Sequence, residues 1–111
     1  MTIQTKREGN IDVVAIDGRL DAVTAPQYEK SVRELIEGGA TSLVLDLHEL
    51  NYISSAGLGE IVVTLKLLKE RNGQFSVANV HGNVLSVFDM CGISKLVRIH
   101  KSVADALASL A

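Results

Sequence analysis

The chain has 111 residues, 47% of them apolar and 22% charged, a balance ordinary for a globular protein. Its formal net charge of −2 comes without a basic run or an acidic tail, which leaves no electrostatic footprint for nucleic acid or for an anionic membrane surface. This length points to one domain over residues 1–111, able to bury about 65% of its unfolded surface, so one core is feasible without staples. Two Tyr, two Phe and no Trp make that core aliphatic. The one cysteine, Cys91, excludes an intramolecular disulfide and suits a reducing compartment; its apolar surroundings in sequence point to a buried, inert thiol. The polar start and the lack of an apolar run near ~20 residues point to a cytoplasmic protein.

Residues 2–7 read as a short edge strand, and Glu8, Gly9 and Asn10 as a turn. The β-branched run 11–17 is a strand, so the two should form a hairpin. Thr24 is placed as a helix N-cap, with Gln27 completing a capping box and Pro26 in the first turn. Ala25, Tyr28, Val32, Leu35 and Ile36 then recur at helical spacing until Gly38 and Gly39 stop the helix. Asp21, just ahead of it, reads from spacing as a turn or pre-cap aspartate.

Residues 42–47 are a near-continuous apolar strand, the pattern of a central strand buried on both faces. A loop is expected over 50–56. A helix is expected from near Gly57 to about Arg71, with Leu58, Ile61, Val62, Leu65 and Leu68 on one face. Residues 75–78 predict a strand, 83–90 a helix ended by Gly92, and 95–99 a last strand. Ser102 caps a final amphipathic helix with Val103, Ala106, Leu107 and Leu110 inward. The order β-β-α-β-α-β-α-β-α argues an α/β fold, with about five strands in a mixed, mostly parallel sheet and about four helices packed against it.

Ser54 and Ser55 stand where a buried strand gives way to a helix. Backbone N–H groups lack partners at such a junction, and the helix dipole favours an anion there. The catalytic inventory is poor. His48, His81 and His100 have no spacing that builds a metal site on one element. There is no phosphate-binding P-loop; Gly57 and Gly59 lack the third glycine of a dinucleotide fingerprint, and Ser55 lacks a nucleophile elbow.

Four stretches in order give the chain a resemblance over nearly its whole length. They are Gly18, Leu20 and Asp21 before the first helix; the strand 43–47; the run Ser54, Ser55, Ala56, Gly57, Leu58 and Gly59; and Phe88, Asp89, Met90, Cys91, Gly92 and Ile93. Together they resemble the anti-sigma-factor antagonist family, proteins of the STAS fold in bacterial partner-switching systems. The family's phosphorylation motif commonly reads Asp, Ser, a small residue, Gly, Leu or Ile, then Gly. Laid on this chain, it implies phosphorylation of Ser55, with Ser54, standing at the aspartate position, as the alternative.

The resemblance also implies a partner-binding surface of Asp21 with Tyr52, Ile53, Ser54, Ser55, Ala56, Gly57, Leu58 and Gly59. The implied partners are an anti-sigma factor that is also a serine protein kinase, and a PP2C-type phosphatase. Direct contact with nucleic acid or membrane is not implied, nor is a cofactor, a metal or an enzymatic activity of this chain. Two other readings are compatible with the residues. One is a STAS-fold scaffold or binding subunit of a transport or stress-signalling complex whose serine is not phosphorylated. The other is a small serine hydrolase, which would turn over activated esters through Ser55.

Overall fold

The computed structural model describes residues 1–110. Strand β1 (Thr2–Glu8) and strand β2 (Ile11–Leu20) form the expected antiparallel hairpin, in register from Thr2 opposite Asp17 to Glu8 opposite Ile11. Gly9 turns the chain with φ +63°, a value that glycine takes without a steric penalty. Helix α1 (Ala25–Glu37) then leads to strand β3 (Ser42–Asp46), which runs parallel to β2.

The chain next forms a strand that the sequence did not reveal. Residues 50–53, expected as part of a loop, are strand β4 (Leu50–Ile53), also parallel to β2. It takes up beside the end of β2 where β3 leaves off. Gly18 faces Leu50 but Arg19 faces Tyr52, so Asn51 is an extra residue on β4 and makes a bulge. The bulge explains the burial pattern: Leu50 and Ile53 point inward, whereas Asn51 and Tyr52 are exposed.

Helix α2 (Ser55–Glu70), strand β5 (Gln74–Ala78), helix α3 (Gly82–Met90), strand β6 (Arg98–His100) and helix α4 (Val103–Leu110) complete the described chain. The six-stranded sheet has the order β1-β2-β3-β5-β6, with β4 beside β2, and only β1 runs antiparallel to its neighbour. The mixed, mostly parallel α/β architecture is thus the expected one, with β4 as an added strand. Among the described residues, no helix is long and apolar enough to cross a membrane.

The pleat of the sheet sorts the core. Val14, Ile16, Leu43, Leu45 and Val77 join Tyr28, Val32 and Ile36 of α1, Ile61, Leu65 and Leu68 of α2, and Val84 and Phe88 of α3. Ile11, Val13, Val44 and Ala78 instead pack with Ala106 of α4. Leu43, Val44 and Leu45 are fully buried, so β3 is covered on both faces as its unbroken apolar run predicts. The Ser102 hydroxyl accepts from the Asp105 N–H at 3.0 Å, which is the expected cap of α4.

Two other local expectations are corrected. The last strand starts at Arg98 because Ile93–Lys95 form a 3-10 turn after Gly92, which has φ +76°. Ile93 and Val97 are buried one turn apart, and the Val97 N–H donates to the Ile93 carbonyl at 3.1 Å, so helical spacing wins there over strand alternation. Cys91 is exposed, not buried: α3 turns Val84 and Phe88 inward and ends with Met90 and Cys91 facing solvent.

Candidate functional site

The end of β4 and the start of α2 are fixed by one hydroxyl. Ser54 is the N-cap, with extended backbone angles (φ −96°, ψ 175°), and its Oγ accepts from the Gly57 N–H at 3.3 Å. Its own N–H donates to the Leu20 carbonyl at 3.0 Å, and its carbonyl accepts from the Leu58 N–H at 2.9 Å. Three bonds therefore hold Ser54 in place. α2 starts at Ser55, two residues ahead of the expected Gly57, because this cap satisfies the first turn. Ser55 is the first helical residue; it is exposed, as is Ala56.

Gly57 and Leu58 are buried, and Gly59 is exposed. Gly57 is required by close approach: a Cβ there would lie 2.6 Å from the Leu20 carbonyl oxygen and 2.8 Å from Ile53 Cγ1. Gly59, in the same motif, has open space around it. The first glycine thus lets the helix start sit against the end of β2, while the second does not serve packing.

The end of β2 supplies the other side of the site. Arg19 and Tyr52 face each other across β2 and β4, and the Arg19 guanidinium carbon lies 4.7 Å from the Tyr52 ring centroid. Arg19 Nε donates to Asp21 Oδ2 at 2.8 Å. The other carboxylate oxygen of Asp21 accepts from the Val23 and Thr24 N–H groups, at 3.0 and 3.1 Å. Arg19 first, then these N–H groups, hold the Asp21 carboxyl below its ordinary pKa.

This arrangement replaces the expected capping box. Thr24 has helical angles (φ −93°, ψ −16°) and makes no side-chain cap. Its hydroxyl instead accepts from the Asp21 N–H and donates to the Arg19 carbonyl, both at 2.9 Å. Asp21 is indeed a turn aspartate, and its turn adjoins the serine pair because Leu20, the residue before it, carries the carbonyl bonded to Ser54.

The predicted site residues therefore converge on the junction of β2, β4 and α2. Tyr52, Ser55, Ala56 and Gly59 are exposed there, Asp21 and Ser54 are partly buried, and Ile53, Gly57 and Leu58 are buried as supports. Sequence reasoning missed Arg19 and Val23. Val23 is 86% exposed on the turn that Asp21 organises. The only sequence signal for Arg19 was its place next to Leu20 and Asp21. At the carboxyl ends of β3 and β5, His81 Nε2 lies 2.8 Å from the His48 carbonyl oxygen and the two rings are 6.0 Å apart. Among the described residues, no three His, Cys, Asp or Glu side chains converge so as to hold a metal ion.

The fold is a single α/β layer structure, and one face of it gathers an exposed serine, an ion pair and an exposed aromatic ring. The STAS domain model matches residues 2–106, and the chain belongs to that family. Relatives include an anti-sigma-B factor antagonist of Staphylococcus aureus, 25% identical, with 91% of this chain and 94% of that protein aligned. An anti-sigma F factor antagonist of Paenibacillus polymyxa is 28% identical, covering 99% and 95% respectively. The crystal structure of an anti-sigma factor antagonist from Mycobacterium paratuberculosis superimposes with a TM-score of 0.89 at 25% identity, over 98% of this chain and 92% of that one.

Proposed function

We propose that this chain is an anti-sigma factor antagonist switched by phosphorylation of Ser55. In its unphosphorylated form it binds an anti-sigma factor that is also a serine kinase, and so frees a sigma factor. The kinase, using its own ATP and Mg2+, phosphorylates the serine and ends the binding; a PP2C-type phosphatase restores it. The chain is substrate and switch, and the nucleotide and metals belong to its partners. Relatives carrying the antagonist name over nearly the full chain support the first half of this reading. One geometric observation supports the second: Ser54 is committed to the cap, while the neighbouring Ser55 is exposed.

A phosphoserine adds about −1.5 to −2 charges near pH 7. At the start of α2 the helix dipole favours that charge by about 0.3–1 kcal/mol, so the modification leaves the fold intact. Release comes from the interface, where an unpaired buried dianion costs several kcal/mol, against ~1.4 kcal/mol for each tenfold loss of affinity. The switch needs no large conformational change.

The test incubates the chain with ATP, Mg2+ and each anti-sigma kinase encoded in its own genome, followed by intact mass and peptide mapping. One phosphoryl group on Ser55 is expected, and none on the Ser55→Ala variant. Ser55→Asp should bind the kinase at least about tenfold more weakly while melting near wild type. Addition at Ser54 would move the switch by one residue. No addition by any candidate, beside an active control pair, would favour a STAS scaffold that is not phosphorylated.

A further inference from the structure

Arg19 is held more firmly than an exposed arginine needs to be. Its side chain is 62% exposed, yet it is fixed from two directions. Asp21 takes the Nε–H at 2.8 Å, and the Tyr52 ring supports the guanidinium at 4.7 Å. Both supports are themselves fixed: Asp21 by the Val23 and Thr24 N–H groups, and Tyr52 by its register opposite Arg19 on β4. A guanidinium carries five N–H donors in a planar fork. Only the Nε–H is bonded among the described residues, so the two terminal nitrogens of this largely exposed side chain are without a protein partner.

We propose that Arg19 is a preorganised receptor for a carboxylate side chain, an aspartate or glutamate, of the protein that binds this face. It thereby helps to determine which anti-sigma factor the chain accepts. This rests on the partner-binding reading above. The two terminal nitrogens match a carboxylate bidentately, and a stacked arginine loses little further freedom on binding. Tyrosine and arginine are the side chains that most often anchor protein interfaces. The adjoining turn presents Val23, exposed, as an apolar contact for the same partner. A partner with a lysine or arginine at that point meets repulsion from Arg19 and finds Asp21 already occupied, so the same residue also rejects.

The test uses the unphosphorylated full chain and the kinase that modifies it, with affinity read by calorimetry. Arg19→Ala should weaken binding about 10- to 100-fold, the range for a bidentate charged pair. Arg19→Lys should recover only a minor part of the loss, because a point charge lacks the fork. Arg98→Ala, on the strand at the opposite edge of the sheet, serves as control and should bind as wild type does. All three should melt within about 3 °C of wild type. Asp→Asn and Glu→Gln substitutions across the kinase should reveal one that costs as much as Arg19→Ala and adds nothing when combined with it.

Arg19→Ala binding within twofold of wild type would overturn the proposal and leave the antagonist reading standing. Full recovery by Arg19→Lys would overturn it as well, by reducing the effect to general charge attraction. Failure of the wild-type chain to bind or be modified by any candidate kinase would overturn the antagonist reading and this inference with it.

Discussion

Two glycines of one motif should respond to alanine with opposite signs. At Gly57 the added methyl would sit 2.6 Å from the Leu20 carbonyl oxygen, so α2 or the end of β2 must retreat by about 0.8 Å to restore ordinary contact. That carbonyl also accepts the Ser54 N–H at 3.0 Å, and the retreat stretches this bond beyond useful length. Overpacking costs about 1–3 kcal/mol and the weakened bond about 1 kcal/mol, offset by about 0.5–1 kcal/mol of helix propensity. The net expectation for Gly57→Ala is a loss of about 1–3 kcal/mol, or about 5–15 °C in melting temperature.

Gly59→Ala meets open space on an exposed helical position, so it keeps only the propensity gain and should be stabilising by about 0.5–1 kcal/mol. Thermal denaturation followed by circular dichroism measures both. Amide hydrogen exchange at Ser54 should accelerate in the first variant and stay unchanged in the second. A Gly57→Ala protein as stable as Gly59→Ala would refute the close-approach reasoning.

The two serines should separate in the same assay: Ser54→Ala loses the cap at a cost of about 1 kcal/mol, whereas Ser55→Ala changes stability by no more than about 0.5 kcal/mol. The folded-state pKa of Asp21 is lowered, so its stabilising contribution is complete above its ordinary value of 3.8 and is lost as pH falls through the lower folded-state value. Asp21→Asn should therefore melt below wild type at pH 7, and the two curves should converge in acid as the wild-type carboxyl takes up its proton. Between α1 and α2, the buried Tyr28 hydroxyl lies 2.7 Å from Thr64 Oγ1, which itself donates to the Glu60 carbonyl at 2.9 Å. Tyr28→Phe removes one bond and should cost about 1 kcal/mol, while Thr64→Val strands a buried phenol and should cost about 1–3 kcal/mol; urea denaturation would give the ranking.

Elements set by apolar periodicity were legible in the sequence. The stripe of Tyr28, Val32 and Ile36, the run 43–45 and the hairpin turn at Gly9 each declare their place through spacing alone. β4 was not legible because it is four residues long and its bulge at Asn51 breaks the alternation that marks a strand. The Thr24 capping box failed for a reason local to the preceding turn: the Thr24 hydroxyl is engaged by the Asp21 N–H and the Arg19 carbonyl, and the aspartate takes over the N–H groups of the turn. In the site, the serine junction could be read from strand-then-helix order. Which hydroxyl is tied down could not, because that depends on where the cap falls to within one residue. Arg19 stayed hidden because its meaning lies in a ring 33 positions away, brought opposite by the unforeseen strand.

An open strand edge is where copies of a sheet protein would add to one another. On one side the edge is β1, whose side chains are mostly exposed and include Lys6, paired with Glu8 at 2.8 Å, and Arg7, paired with Asp12 at 3.6 Å. On the other side the edge is β6, only three residues long. A second sheet approaching β1 would have to strip water from a ridge of charges, and one approaching β6 would find almost nothing to zip onto. Strand addition is thus discouraged at both rims of the sheet whose second strand, through the Leu20 carbonyl, holds the serine junction in place.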